Sequence, residues 1–147
     1  MEPYQVRVGA EWVDYNNHLN EGAYGLIFSD ATDHVLDQLG LGADYREGAG
    51  GSLFTVETHT RFLKEVKLGA FLEITTRVLG VDDKRLHLWH EMRSVGVEPV
   101  ATQESLLVHV SVASGSVEPS EAIAAAAGMV SAELPPGAGR AIRRPGR

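Results

Sequence analysis

Apolar and polar positions change period three times along the chain. Tyr4 to Val8 alternates weakly, as an opening strand would. A polar, turn-rich stretch from Asp14 to Asn20 follows. Beyond it Tyr24, Ile27, Phe28, Ala31, Val35 and Leu39 recur at helical spacing, which predicts one helix over residues 21–39. Asn20 suits the N-cap, Glu21 places a negative charge in the first turn, and Gly40 with Gly42 supplies the stop. Gly25 inside that helix costs about 1 kcal/mol against alanine and marks close packing on a neighbour. Gly48-Ala49-Gly50-Gly51 reads as a flexible connector.

After the connector the period becomes two. Residues 53–63, 70–80, 84–94 and 99–112 predict four strands, rich in Val, Thr, Leu and Phe. Turn chemistry sits at the joints: Lys67-Leu68-Gly69, Gly80-Val81-Asp82-Asp83 and Gly96. Ser120 to Glu133 is alanine-rich and predicts a short surface helix ended by Pro135-Pro136-Gly137. The order strand, long helix, four strands implies an α+β fold, its antiparallel sheet wrapped around one central helix. A cystatin-like roll has the same order, and periodicity does not separate the two. The domain is placed at 1–134, with a basic Pro/Gly/Arg-rich tail at 135–147 expected to be extended or disordered.

The 147 residues suffice for one domain with a substantial core. No apolar run is long enough to span a bilayer, and Met1-Glu2-Pro3-Tyr4 lacks the layout of a secretory leader, so a cytoplasmic, membrane-free protein is expected. The chain has no cysteine, which excludes disulfides, thiolate metal sites and cysteine nucleophiles. A formal charge of −7 argues against a nucleic-acid partner, and the tail's Arg140, Arg143, Arg144 and Arg147 leave the body more acidic still. His87 and His90, three apart on a strand, point to opposite faces and make a poor metal pair; no metal is expected. No Gly-x-Ser-x-Gly elbow or phosphate loop occurs.

Asp14 is the first candidate for chemistry, since it precedes a helix N-terminus whose free N–H groups face outward. A carboxylate beside such amides fits acyl transfer, with the amides holding an oxyanion while the carboxylate attacks or deprotonates water. The plain alternative is an Asx turn before the helix. His18, in the same loop, either takes part as a base or fixes the turn.

Asp14-Tyr15-Asn16-Asn17-His18-Leu19-Asn20 followed by Tyr24 resembles the Asp-x-x-Gly-His-hydrophobic-Asn signature of the hydroxybenzoyl-CoA thioesterase branch of the hot-dog superfamily. Phe62-Leu63-Lys64-Glu65-Val66-Lys67-Leu68-Gly69 resembles that family's entry to the third strand. Asn17 stands where the family has glycine, and asparagine tolerates the positive φ that position needs. Ala70 replaces a common acid. Within the family, Trp12 to Asn16, Phe28 to Asp33, Thr55 to His59 and Asp82 to Leu88 look most like the betainyl-CoA thioesterases of carnitine breakdown.

The resemblance implies a hot-dog thioester hydrolase cleaving a small acyl-CoA, with betainyl-CoA the specific expectation. A broader short-chain or aromatic thioesterase and a non-catalytic acyl-CoA-binding module are the alternatives. Asp14, His18 and Asn20 would be catalytic, with the backbone of Glu21 and Gly22 as the oxyanion donors. Thr58 and His59 of a second subunit would complete the pocket, so a homodimer or homotetramer is implied, without any cofactor. A trimethylammonium group needs aromatic faces and carboxylates. Trp12, Tyr15 and Tyr24 are candidates, as is Glu104, which shares a strand phase with Leu106, Val108, Val110 and Val112. Asp30 and Asp33 are weaker ones. Lys64, Lys67, Lys84 and Arg85 are the candidates for coenzyme A phosphates, against the ordinary alternative of solvated surface.

Overall fold

A computed structural model describes residues 1–94 and 98–146; the turn expected at Gly96 and the last arginine, Arg147, lie outside the described residues. Five strands form one antiparallel sheet: β1 (Tyr4–Arg7), β2 (Gly51–Phe62), β3 (Phe71–Val81), β4 (Arg85–Ser94) and β5 (Pro99–Ser111), in the order β1-β3-β4-β5-β2. The helix α1 (Glu21–Gln38) lies across one face of it. Its stripe Ala23, Tyr24, Ile27, Phe28 and Ala31 packs on Leu72, Ile74, Met92 and Ala101, and the later Val35 and Leu36 pack on Val78, Leu88 and Leu107. That is the expected α+β hot-dog arrangement.

Polar groups also fasten α1 to the sheet. His90 of β4 is fully buried, its Nε2 3.1 Å from the Thr32 hydroxyl of α1 and its Nδ1 2.9 Å from that of Thr76 on β3. Thr32 donates to the Phe28 carbonyl, so it accepts from His90 Nε2–H, and Nδ1 of the neutral ring accepts a hydrogen bond from the Thr76 hydroxyl. Burial holds the His90 pKa down at about 4. The unfolded chain then binds a proton below the ordinary value of 6.5 that the fold refuses, so stability falls as pH drops from 6.5 toward 4. His90 alone is expected to remove about 2 kcal/mol of unfolding free energy between pH 7 and 5. Urea titrations at both values should show that share missing in His90→Gln, and an equal pH dependence in the two proteins would contradict it.

Two expectations are corrected. The connector at 48–51 is the end of a second helix, α2 (Ala43–Ala49), followed directly by β2. Gly50 ends α2 at φ 68°, and at Gly51 a Cβ would collide with the His109 ring, which donates or accepts at the Tyr45 hydroxyl. Seven residues are too few to show a helical period. The alanine-rich segment forms only a single turn, α3 (Glu121–Ala124), continued as a 3-10 helix over Ala125–Met129.

The second correction concerns the tail. Residues 135–146 cross the face of the sheet opposite α1, with Ile142 buried at 2% exposure. Arg144 Nε donates to the Leu79 carbonyl at 2.7 Å, and the Gly139 N–H donates to Glu104 at 2.8 Å. A basic, Pro/Gly-rich composition suggests disorder, but one buried isoleucine and anchored backbone fix this segment in place.

Candidate active site

The loop before α1 is built around Asp14. Its Oδ1 accepts from the Asn16 N–H at 2.8 Å and the His18 N–H at 3.2 Å, and its own N–H donates to the His18 carbonyl. Asn17 adopts φ 59°, the left-handed turn expected where the family carries glycine. The loop is thus an Asx turn, yet it uses only one carboxylate oxygen. Among the described residues no group hydrogen-bonds Oδ2, and Asp14 opens onto a cleft of about 450 Å³.

Asn20 is the N-cap of α1, its Oδ1 accepting from the Gly22 N–H at 2.8 Å. This alters the expected pair of oxyanion donors. The Gly22 N–H is committed to the cap, whereas the Glu21 N–H has no acceptor among the described residues. Asn20 also anchors the loop through its own N–H, which donates to the Trp12 carbonyl. Its role here is to shape the helix start.

Asp14, Asn16, His18, Leu19, Glu21 and Tyr24 form one wall of the cleft, and Phe62 to Val66 the other. The walls are joined by Leu19 N–H to the Val66 carbonyl and by His18 Nε2, 3.5 Å from Glu65 Oε2. Tyr24 stacks edge-on against Phe62, centroids 5.1 Å apart, and its hydroxyl reaches the Lys64 carbonyl at 3.4 Å. Burial first, and Glu65 second, push the Tyr24 pKa above its usual value, so the phenol stays a neutral donor.

Other candidates fall elsewhere. Trp12 packs against the core and Tyr15 is 95% exposed; neither lines the cleft. Thr58 and His59 lie on β2, at the edge of the sheet, opposite Ser105 and Glu104 respectively, so the strand's alternation points them to opposite faces. Asp30 and Asp33 ride the outer side of α1; burial, then Asp30 and Asp37, raises the Asp33 pKa.

Glu104 is the clearest displacement. It faces away from α1, fully buried under the tail, with its oxygens held by His87 Nε2 at 3.0 Å and by the Gly139 N–H. It neither lines the cleft nor reaches solvent. Burial drives the His87 pKa down despite the pull of Glu104. Lys64 lines the cleft and Lys67 follows it in the same turn, whereas Lys84 and Arg85 sit at the far end of β3, an 11-residue strand of roughly 35 Å. Arg85 is also paired there with Asp82, which lowers the Asp82 pKa against its burial. These four cations therefore form no single patch within one protomer. Phe62 and Glu65 are among the cleft residues that the sequence reading does not single out, although both stand within the motif at 62–69.

The described residues hold no helix long and apolar enough to cross a membrane. The thioesterase-like superfamily matches residues 8–140, and the chain belongs to that superfamily. Among particular relatives, a betainyl-CoA thioesterase of Pseudomonas aeruginosa is 47% identical over 109 residues, covering 74% of this chain and 69% of that protein. An L-carnitine dehydrogenase/betainyl-CoA thioesterase of Agrobacterium fabrum is 51% identical over 107 residues, 73% of this chain, which spans only 22% of that relative's length. Of solved structures, a Staphylococcus aureus protein in complex with CoA superposes with a TM-score of 0.85 at 27% identity, covering 97% of this chain and 94% of that one. A putative thioesterase of Pseudomonas putida gives 0.78 at 39% identity, over 97% and 95% of the two chains.

Proposed function

We propose that this protein hydrolyses betainyl-CoA to glycine betaine and coenzyme A, as a cytoplasmic homodimer. The observation that carries the reading is that Asp14 Oδ2 and the Glu21 N–H are both without a partner among the described residues and belong to two residues that line one cleft at the foot of α1. The thioester carbonyl sits over that N–H, which takes the oxyanion with the help of the helix dipole. Asp14 then either removes a proton from the attacking water, or attacks the carbonyl carbon itself to form a mixed anhydride that water afterwards hydrolyses; in both cases the coenzyme A thiolate leaves. His18, whose N–H donates to Asp14, holds the loop in shape, and the Leu19 N–H bond to the Val66 carbonyl keeps the loop and the opposite wall in register. The names of the Pseudomonas and Agrobacterium relatives support the betainyl group as the acyl part.

The dimer reading rests on β2. This strand ends the sheet with an unpaired edge, and Phe54 and Val56 on it are about half exposed, at 49% and 56%. A second copy pairing there would bring its own Thr58 alongside.

The test is thiol release by the purified protein with betainyl-, acetyl-, butyryl- and benzoyl-CoA. We expect kcat/KM to be highest for betainyl-CoA by about tenfold or more, the worth of one well-placed cation contact. Equal rates across the panel would reject the substrate, and no release from any thioester would reject the activity.

A further inference from the structure

The substrate's own geometry limits where its cation can be recognised. In betainyl-CoA the quaternary nitrogen is one methylene from the carbonyl carbon, about 2.5 Å across two single bonds. Once the carbonyl is placed between Asp14 and the Glu21 N–H, the trimethylammonium group must lie inside the same cleft. Glu104, behind the sheet with both oxygens engaged, is out of reach.

Within the cleft the charges are uneven. Asp14, Glu21 and Glu65 face Lys64 alone, so the potential favours a cation. Asp14 is committed to the reacting carbon, and Glu21 belongs to the first turn of the helix. Glu65 stands on the opposite wall, where its side chain is 76% exposed and, among the described residues, its carboxylate is held only by the long contact to His18. The aromatic surface is on that wall too. Tyr24 is almost wholly buried, at 5% exposure, whereas Phe62 is 53% exposed and lines the opening. A trimethylammonium group has no N–H to donate; it is recognised by a ring face and a carboxylate with no tight partner.

Resting on the betainyl-CoA reading, we infer that Phe62 and Glu65 are the specificity residues for the acyl cation, Phe62 through its ring face and Glu65 through its charge. Both belong to the wall from β2 into the following turn, across the cleft from Asp14. A role for Glu65 that is limited to orienting His18 would act on every thioester alike. A role for Phe62 limited to packing on Tyr24 would do the same.

The experiment compares betainyl-CoA with its neutral isostere, 3,3-dimethylbutanoyl-CoA, in which carbon replaces the quaternary nitrogen. The wild type, Phe62→Leu and Glu65→Gln are assayed for kcat/KM on both. The wild type is expected to prefer the cation, and each variant to lose about tenfold on betainyl-CoA while changing less than about twofold on the isostere. Turnover of the isostere also reports that each variant is folded. A variant that keeps the wild-type ratio, with both substrates slowed together or neither slowed, overturns the assignment of that residue. The wild-type rates judge the parent reading separately: equal rates on the two substrates, or none on either, remove the betaine reading and this inference with it.

Discussion

Asp14→Asn is expected to lower kcat for thioester hydrolysis by about a thousandfold while leaving the fold intact. Asparagine keeps an oxygen at the Oδ1 position, so the Asn16 and His18 N–H groups retain their acceptor and the loop its shape. What changes is Oδ2, which becomes an amide nitrogen with neither negative charge nor a lone pair basic enough to attack or to take a proton from water. KM should move little, since the Glu21 N–H and the opposite wall are untouched. Steady-state thiol release with a thermal melt of the same preparation checks both halves. A variant with normal turnover would mean that Asp14 only closes the turn; one lost to unfolding would place its importance in the loop.

The helix and the strands were legible because each exposes a different period. Tyr24, Ile27, Phe28, Ala31 and Val35 can share a surface only as a helix, and they do. The loop from Asp14 to Asn20 was legible because turn residues there satisfy backbone groups locally, down to the positive φ at Asn17. The cap shows where such local reasoning stopped. The sequence marks Asn20 as a cap, and that cap consumes the Gly22 N–H, which the family resemblance assigns to the oxyanion.

Glu104 failed for a different reason. Strands β4 and β5 lie inside the sheet and are covered on both sides, by α1 in front and by the tail behind. Both phases of β5 are therefore largely buried, and alternation loses its power to say which side faces the helix. The apolar run Leu106 to Val112 pointed to a core face, whereas the helix side is the phase of Ala101, Gln103, Ser105 and Leu107. Nothing periodic announces the tail that buries the other side. Phe62 and Glu65 were missed because a turn motif describes the course of the backbone and is silent on which side chains meet another loop across space.

The tail and Glu104, two features without a role in the sequence, explain each other, and the second large effect follows from that. Glu104→Ala removes the acceptor for both His87 Nε2–H and the Gly139 N–H, at a place where His87 Nδ1, Trp89 Nε1 and Thr102 Oγ1 already lack partners among the described residues. Two orphaned donors and a small cavity are expected to cost about 3 kcal/mol, lowering the melting temperature by roughly 10 °C for a chain of this size. Deleting residues 135–147 should cost a similar amount, because it uncovers Trp89 and the Ile142 contact and removes the Gly139 donor. The two changes share one hydrogen bond, so their effects must fall short of a sum, by about 1 kcal/mol or more. Urea unfolding of the wild type, the two variants and the combination measures that shortfall. Strict additivity would mean that the tail and the buried carboxylate stabilise the sheet independently, and that the Gly139 bond holds nothing in place.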